Sequence, residues 1–403
     1  MTKLKELIKE LCPNGVPQKR LDEICHILDN KRKPITKSAR EFGIYPYYGA
    51  NGIQDYVSDY IFDGTYILIG EDGSVITASG NPVVNWVTGK VWVNNHAHIL
   101  GEKEGVLLRY LFHYIQTIDI SSLVHGNIPK LTGGDLRALQ IPVPPIPVQE
   151  EIVRILDSFT ELTAELTAEL AARKKQYEYY RNALLNNHTL QSNLCSISEL
   201  GKWSGGKTPS MERKEFWTNG TIPWISSKDM KEPTLSDTED HISEQAVSEA
   251  SMTIYPKHCI AIVTRSGILK HTLPVSYVPF ATTVNQDIKV LVPNERVLPR
   301  FAYHLLQTYS DDIRAKTKKQ GGTVDSLDFQ AVLSYKVPVP PKDVQERLIQ
   351  VLDNFDSICS DLKIGLPAEI EARKKQYEFY RDKLLSFKET PTYEQKKEIS
   401  KTE

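Results

Sequence analysis

One stretch of the chain matches the pattern of a phosphate-binding loop, G-x-x-x-x-G-K-[ST]. It runs from Gly201 to Thr208 and reads GKWSGGKT. A working loop of this kind follows a buried strand and opens a helix whose N-terminus faces the phosphate. The preceding SISEL is short and polar, and Pro209-Ser210 comes next, so the sequence disfavours a nucleotide site. A glycine- and lysine-rich loop against a nucleic-acid backbone explains the same residues better, with a plain surface loop as the alternative.

Two histidines, His96 and His98, could place two zinc ligands on one face of a strand. The matching positions in the second half of the chain are Asp287 and Lys289, and no other His or Cys cluster lies nearby. We therefore expect no metal site here, and a solvated strand edge instead. The five cysteines are scattered and odd in number, which argues against a disulfide framework and for a reducing cytosol.

Three further groups of side chains are suited to nucleic acid. A basic run over residues 31–40 suits phosphates, and aromatic and short polar side chains at matched positions of the two halves, near 47–51 and 224–228, suit base edges. The third group lies at 265–270 and matches Glu71-Asp-Gly73 of the first half. The predicted DNA-binding residues are Lys31, Arg32, Lys37, Arg40, Tyr47, Asn51, Lys207, Thr208, Ser226, Ser227, Lys228, Arg265 and Lys270. For each of them the alternative is a solvated surface group.

The overall charge of the chain does not by itself favour nucleic-acid binding. The chain has 403 residues with 49 Lys and Arg against 51 Asp and Glu, a formal charge of −2, so any DNA affinity has to come from local patches. The length indicates two or three domains. No apolar run approaches the roughly 18 residues of a membrane span, and the start, MTKLKELIKE, is typical of an amphipathic helix and not of a signal peptide. We expect a soluble, cytoplasmic protein.

The elements that would position these residues are present twice. The segment PVPPIPVQEEIVRILDSF at 142–159 matches PVPPKDVQERLIQVLDNF at 338–355, with 10 of 18 positions identical. ARKKQYEYYR at 172–181 matches ARKKQYEFYR at 372–381, with 9 of 10 identical. Weaker similarity precedes each block, where residues 109–117 align with 300–308 at an offset of 191. The divergent interiors on a shared framework suggest two modules that do one job on two targets.

Each half ends in a polar helical segment. Residues 149–185 contain no Gly or Pro, and six apolar residues at spacings of three or four form one stripe: Ile152, Ile155, Phe159, Leu162, Leu166 and Leu170. The second copy contains Gly365-Leu-Pro367, which should kink or break the helix. The globular parts contain short strand-like runs bounded by Gly, Asn and Pro, which predicts a mixed α/β (α+β) fold.

With the repeat in view, the chain resembles the specificity subunit of type I restriction-modification systems. The paired PVPP…VQE…LD blocks and the paired ARKKQYExYR blocks carry this resemblance. The globular segments fit it as well, through YPYYGANG at 45–52 with YILIGEDG at 66–73, and through GGKTPS at 205–210 with IPWISSKD at 222–229.

The resemblance implies a fold and a division of labour. Two similar target-recognition domains, at residues 1–145 and 188–341, would be separated by two long antiparallel helices, at 146–187 and 342–390, in a pseudo-twofold arrangement with a charged tail at 391–403. The chain would be non-catalytic and bind no cofactor itself. S-adenosylmethionine, ATP and Mg would belong to two methyltransferase subunits and two motor-nuclease subunits, and the partner common to all would be double-stranded DNA.

The ARKKQYExYR blocks are candidates for methyltransferase docking. Two copies suit two identical partners, and Tyr and Arg are favoured interface anchors. The predicted partner-binding residues are Arg173, Lys174, Tyr177, Tyr180, Arg373, Lys374, Tyr377 and Tyr380. Intramolecular helix pairing by the tyrosines is the main alternative. For the whole chain the alternatives are a two-lobed scaffold that binds protein and, less favoured, a nucleotide-binding protein.

Overall fold

The computed structural model describes residues 2–186, 194–319, 324–360 and 364–388. Its internal packing divides the chain into two units, Met1–Thr167 with Glu369–Glu403, and Ala168–Ala368. The predicted tail at 391–403 lies outside the described residues. No described helix combines the length and the apolar character that a membrane span requires.

The first unit is a mixed sheet with helices against one face. Its elements are α1 (Thr2–Leu11), β1 (Gln18–Arg20), α2 (Leu21–Ile24), β2 (His26–Ile27), β3 (Phe42–Gly49), β4 (Gly52–Val57), β5 (Phe62–Gly70), β6 (Val84–Val93), β7 (Ala97–Gly101), α3 (Leu108–Ile115), β8 (Val124–His125), β9 (Lys130–Leu131), α4 (Gly133–Ala138), β10 (Gln140–Pro142) and the start of α5 (Ile146–Leu185). The main sheet has the order β2-β7-β5-β6-β3-β4, in which only the β3–β6 pair is parallel.

The alternation of side chains along β5 explains why this sheet is covered on both sides. Ile67 and Ile69 enter the cluster that contains Leu111 of α3, whereas Leu68 enters a separate cluster with Ile99 on the other face. Successive side chains of a strand point to opposite faces, so a run of three apolar residues fills two cores. All of these side chains are almost fully buried.

The second unit contains the corresponding elements. They are the end of α5, then β11 (Leu194–Ser196), β12 (Gly201–Gly205), β13 (Ile222–Ile225), β14 (Asp240–Ile242), α6 (Glu244–Glu249), β15 (Cys259–Val263), β16 (Val275–Val278), β17 (Thr283–Val284), β18 (Ile288–Pro293), α7 (Pro299–Thr317), α8 (Phe329–Ser334), β19 (Lys336–Pro338) and α9 (Lys342–Ser360). The following helix, α10 (Leu366–Leu384), belongs almost entirely to the first unit.

The two units share one strand order. The second unit has the sheets β12-β18-β15-β16 and β14-β13-β17, which together reproduce the order of the first unit with its long strand β6 replaced by the two strands β16 and β17. The parallel pair recurs at matched positions, because Tyr47 opposes Trp92 in the first unit and Trp224 opposes Thr283 in the second. The predicted internal duplication and the mixed fold class are confirmed.

The helical segments follow the sequence prediction. The first is a single helix of 40 residues, α5. The second is broken, since α9 ends at Ser360 and α10 begins at Leu366, beside the predicted Gly365-Leu-Pro367. In the second unit α5 packs against α9, since the Tyr180 ring stacks on Phe355 at 5.6 Å.

A buried glutamine attaches each domain to the start of its helix. The side-chain oxygen of Gln149 accepts the Leu107 N–H at 2.9 Å, and its amide nitrogen donates to the Pro144 carbonyl at 2.8 Å. Gln345 accepts the Leu298 N–H at 2.9 Å and donates to Pro340 at 2.8 Å. Both glutamines are fully buried. Their satisfied hydrogen bonds explain why the sequence keeps Val-Gln-Glu after both proline segments, since an unpaired buried amide would be costly.

Candidate nucleic-acid and partner interfaces

The basic run of the first unit divides into free and bound cations. Lys31, Lys33 and Lys37 are exposed. Arg32 is mostly buried and donates to the Glu71 carboxylate at 2.5 Å and to the Ala97 carbonyl at 2.8 Å. Its charge is therefore already matched, and Arg32 anchors the loop whereas the lysines are available to a phosphate.

Tyr47 lies under this loop. It is 1% exposed, and its hydroxyl accepts the Ile35 N–H at 3.1 Å. The Arg40 guanidinium lies 4.1 Å from the centre of the Tyr47 ring and forms an ion pair with Asp55 at 3.3 Å. Tyr47 and Arg40 thus hold the loop in place. Asn51 is exposed at the β3–β4 turn, where a base edge could reach it.

The expectation of a solvated strand edge is wrong for His98. This residue is 1% exposed, with Nδ1 2.7 Å from Asp29 and Nε2 3.0 Å from the Leu131 carbonyl oxygen. His98, Asp29 and Glu71 could each offer a ligand atom within 4.8 Å of the others. Arg32 and Lys130 already pair with Glu71, so the cluster has its counter-charges within the protein. Burial arises because His98 is on β7, an interior strand of the sheet, whereas His96 just before it is exposed and pairs with Asp72.

The Gly201–Thr208 segment has no phosphate-loop geometry. Residues Gly201–Gly205 are themselves the strand β12, and no described helix follows directly. A side chain at Gly206 would bring its Cβ within 1.7 Å of the Val284 oxygen, so this glycine allows a close backbone approach. Lys207 and Thr208 are exposed beyond it, and the Thr208 hydroxyl donates to Gln286 at 2.6 Å.

The predicted group around Lys228 is only partly accessible. Ser226 is 8% exposed, and its backbone and hydroxyl both donate to Asp229. Ser227 is half-buried. Lys228 is exposed but forms ion pairs with Asp240 at 2.8 Å and Glu239 at 3.0 Å, and the hydrogen bonds that it donates to these two carboxylates raise its pKa. A phosphate at Lys228 would have to compete with two carboxylates.

Arg265 and Lys270 are cations near the end of β15 in the second unit. Both are exposed, and neither forms an ion pair with any other described residue. Arg265 precedes a short turn of 3₁₀-helix, Gly267–Lys270, which ends at Lys270 and is capped by the Ser266 hydroxyl. The turn follows β15, so the two cations lie at the end of a central strand.

The two ARKKQYExYR blocks each present a charged face and an aromatic face. Arg173, Lys174 and Lys374 are exposed, and Arg373 is half-buried beside Glu369. The aromatic faces pack inside their own unit: the Tyr180 ring stacks on Phe355 at 5.6 Å in the second unit and the Tyr380 ring on Phe159 at 5.3 Å in the first. Tyr177 is 7% exposed and Tyr377 half-buried. The charged residues of the blocks are therefore more open to a partner than Tyr177 and Tyr377, although the Tyr180 ring is still 40% exposed.

A buried histidine in the first unit links α3 to both helical segments. His113 is fully buried, with Nε2 2.8 Å from Asp157 of α5 and Nδ1 2.9 Å from the Tyr377 hydroxyl of α10. Arg109 donates to the same Asp157 oxygen at 2.7 Å. Burial lowers the pKa of His113, although Asp157 acts in the opposite direction. Burial raises the pKa of Asp157, but hydrogen bonds from His113 and Arg109 outweigh it and the pKa is lowered.

The second unit repeats this network. His304 is fully buried, with Nε2 2.7 Å from Asp353 of α9 and Nδ1 3.2 Å from the Tyr177 hydroxyl of α5. Arg300 donates to Asp353 at 2.6 Å. We name the two sets by their histidines, the His113 network and the His304 network. Their members occupy matched positions of the repeat: Arg109 with Arg300, His113 with His304, Asp157 with Asp353, and Tyr177 with Tyr377.

Sequence reasoning assigned no role to the arginine, histidine and aspartate of these networks. The signal was present, because all three are identical in both copies of the aligned segments. A polar residue kept within a helix that is otherwise apolar on that side would have indicated a buried partner.

A comparison with protein families matches both halves of the chain. The model of the type I restriction modification DNA specificity domain matches residues 13–187 and again residues 191–372. The chain belongs to the type I restriction-modification specificity subunits. The doubled match coincides with the doubled strand order, since each matched stretch contains one of the two sets of strands and most of the helical segment that follows it.

Individual relatives agree with this family. The chain is 43% identical over 293 residues to the specificity subunit of the EcoR124I and EcoR124II restriction enzymes of Escherichia coli, which covers 71% of this chain and 72% of that one. It is 35% identical over 395 residues to a type I specificity subunit of Haemophilus influenzae, covering 94% and 98%. The crystal structure of an S subunit from M. genitalium has the same fold, with a TM-score of 0.56 at 17% identity over 92% of this chain and 96% of that one.

Proposed function

We propose that this specificity subunit reads a bipartite, asymmetric DNA site, with one half-site for each unit's recognition domain. The observation that carries the proposal is the shared strand order with divergent loops at matched positions. A common framework fixes two reading surfaces, and different loops give them different targets. The chain itself would be non-catalytic and would bind no cofactor, since methylation and cleavage are the work of other subunits of such systems.

In the first domain the reading surface is centred on the loop over residues 31–40 and on the β3–β4 turn. Exposed Lys31, Lys33 and Lys37 suit phosphates, and Asn51 suits a base edge. Arg32, Arg40 and Tyr47 contribute by fixing the loop. In the second domain the accessible counterparts are Lys207, Thr208, Ser227, Arg265 and Lys270.

The Arg-Lys pairs of the two blocks are proposed as the docks of two methyltransferase subunits. Their near-identity, 9 of 10 positions, is what two identical partners would require. Two motor-nuclease subunits would join the same assembly. Double-stranded DNA would be bound by the assembled complex. This chain alone is not strongly basic, since its formal charge is −2.

Methylation mapping tests the reading function. The chain is co-expressed with the methyltransferase subunit of its own system, and methylated adenines are mapped in host DNA. We expect one bipartite motif with two different half-sites and a fixed gap. A single continuous motif, or no methylation by an assembled complex, would contradict the proposal.

Co-purification tests the docks. In a variant with Arg173, Lys174, Arg373 and Lys374 all changed to alanine, we expect at least tenfold less methyltransferase per specificity subunit, since removal of an interface anchor costs about 1–2 kcal/mol. The matched control changes exposed Lys5 and Lys9 of α1, outside the blocks. Normal recovery of two methyltransferases by the fourfold variant would show that the blocks are not the docks.

A further inference from the structure

The His113 and His304 networks connect the repeats crosswise. Tyr377 lies in the block of the second repeat, yet its hydroxyl meets His113 in the domain of the first. Tyr177 lies in the block of the first repeat, and its hydroxyl meets His304 in the domain of the second. Chain order alone would assign each block to the domain that precedes it.

The direction of the hydrogen bonds follows from the chemistry of the partners. An ionised carboxylate only accepts, so Nε2 of each neutral histidine carries the proton and donates to Asp157 or Asp353. Nδ1 then has a lone pair and accepts the proton of the tyrosine hydroxyl. Each tyrosine is therefore a specific donor to a buried acceptor. Its replacement by phenylalanine leaves that nitrogen unpaired while it keeps the ring.

The histidines sit on the helices that support the reading sheets. In the first unit Phe112, next to His113, packs its ring against Trp86 of β6 at 5.6 Å. In the second, Tyr303, next to His304, packs against Tyr277 of β16 at 6.3 Å. The arginine of each network contacts the same strand residue, because the guanidinium of Arg109 lies over the Trp86 ring and that of Arg300 over the Tyr277 ring. In the first unit β6 pairs with β3, which ends at the β3–β4 turn, and in the second β16 follows the turn that contains Lys270. A displaced histidine would thus move a strand that adjoins the reading loops.

We infer that Tyr377 positions the first domain for its half-site and that Tyr177 positions the second, so that each block controls the half-site read by the domain of the other repeat. Both are positioning residues and touch no DNA. The inference rests on the proposed function, because it assumes that each domain reads one half-site.

The experiment uses the full chain assembled with its methyltransferase. Tyr377→Phe and Tyr177→Phe are compared with the wild type on a DNA library randomised at one half-site at a time. Exchange of residues 1–145 for those of another specificity subunit identifies which half-site belongs to the first domain. For Tyr377→Phe we expect on the order of threefold to tenfold weaker discrimination at the first domain's half-site, the size of one buried hydrogen bond, and none at the other. Tyr177→Phe should give the reverse.

Two controls separate positioning from a general loss of stability. Tyr179→Phe removes an exposed hydroxyl from the first block, at a position where the second block already has Phe379, and we expect both half-sites to be read as in the wild type. Asp157→Asn tests the His113 network from the other side and should act on the same half-site as Tyr377→Phe. It also keeps the test decisive if Tyr377→Phe does not fold.

The outcomes are distinct. A lowered melting temperature with unchanged discrimination, equal loss at both half-sites, or loss at the half-site of the preceding domain would each overturn the inference. A wild-type complex without a bipartite site would instead overturn the proposed function.

Discussion

The two units of this chain differ least where they are buried and most where they are exposed. The buried glutamines and both histidine networks occupy matched positions with nearly the same distances. The surfaces differ: the first unit presents a lysine loop and an exposed asparagine, whereas the second presents Arg265 and Lys270 and neutralises Lys228 with two carboxylates. Packing and hydrogen-bond satisfaction constrain the framework in the same way twice, while loops on it are free to diverge.

One buried difference shows how far the framework tolerates change. Asp356 of α9 lies 3.3 Å from Arg300, and the matched position of the first unit is Thr160. Arg300 therefore has two carboxylate partners where Arg109 has one within ion-pair distance. The common Asp-His-Tyr geometry persists in both, so this geometry, more than the number of charges, is what the duplication keeps.

Exchange of a whole domain should have the largest effect. Replacement of residues 1–145 by those of another family member should change one half-site completely and leave the other and the gap unchanged. The pairing of β1 with β10 closes this segment on itself, which makes it a natural unit of exchange. Methylation mapping of the chimera measures both half-sites. A simultaneous change at both would show that the two domains do not read their half-sites independently.

A change in helix length should alter the gap alone. Thr163-Ala-Glu-Leu166 and Thr167-Ala-Glu-Leu170 are a tandem repeat, and the division between the units falls within it, after Thr167. One added unit lengthens the helix by about 6 Å and rotates it by roughly 40°. Duplex DNA rises about 3.4 Å per base pair along one strand and turns roughly 34–36°.

The added rotation matches one base pair, whereas the added rise matches two only if the helix runs parallel to the DNA. We therefore expect one inserted Thr-Ala-Glu-Leu unit after Leu170 to lengthen the gap by one base pair with both half-sites retained. Deletion of residues 167–170 is the matched control and should shorten the gap by one. Both are read by methylation mapping. An unaltered gap in both variants would show that these helices do not set the spacing.

Removal of free cations should weaken binding without a change in sequence preference. For alanine at Lys31, Lys33 and Lys37 we expect the slope of log K against log salt to fall by up to about 0.9 for each phosphate that is no longer neutralised. Alanine at Arg265 and Lys270 should lower the same slope for the second unit. Lys228→Ala serves as the control and should change the slope little, because Asp240 and Glu239 already match its charge. An equal effect of all three variants would contradict this distinction between free and paired cations.

The smallest effect should be that of pH. Burial lowers the pKa of His113 and His304, so the folded chain holds them neutral. As pH falls below the usual histidine pKa of about 6.5, the unfolded chain binds protons that the folded chain does not, and stability decreases. We expect the melting temperature to fall from pH 8 to pH 5.5, and less steeply when both histidines are changed to glutamine. Identical slopes for the two proteins would show that these histidines do not contribute.

Much of the architecture could be predicted from the sequence because the two halves of the chain can be aligned with each other. The paired blocks predicted the duplication, the apolar stripe predicted α5, and Gly365-Leu-Pro367 predicted the break between α9 and α10. These are local signals: helical periodicity and the backbone limits of glycine and proline act within a few residues.

Burial could not be predicted in this way. Tyr47, Ser226 and His98 have the side chains of a binding surface, but strand pairing and neighbouring elements cover them. Arg32 was indistinguishable in sequence from Lys31 and Lys33, and only the distant Glu71 separates their roles. The sequence by itself determined that there are two similar domains and two helical segments. Which block supports which domain was decided only by the tertiary structure, because Tyr177 and Tyr377 reach their histidines across 127 and 264 positions of the chain.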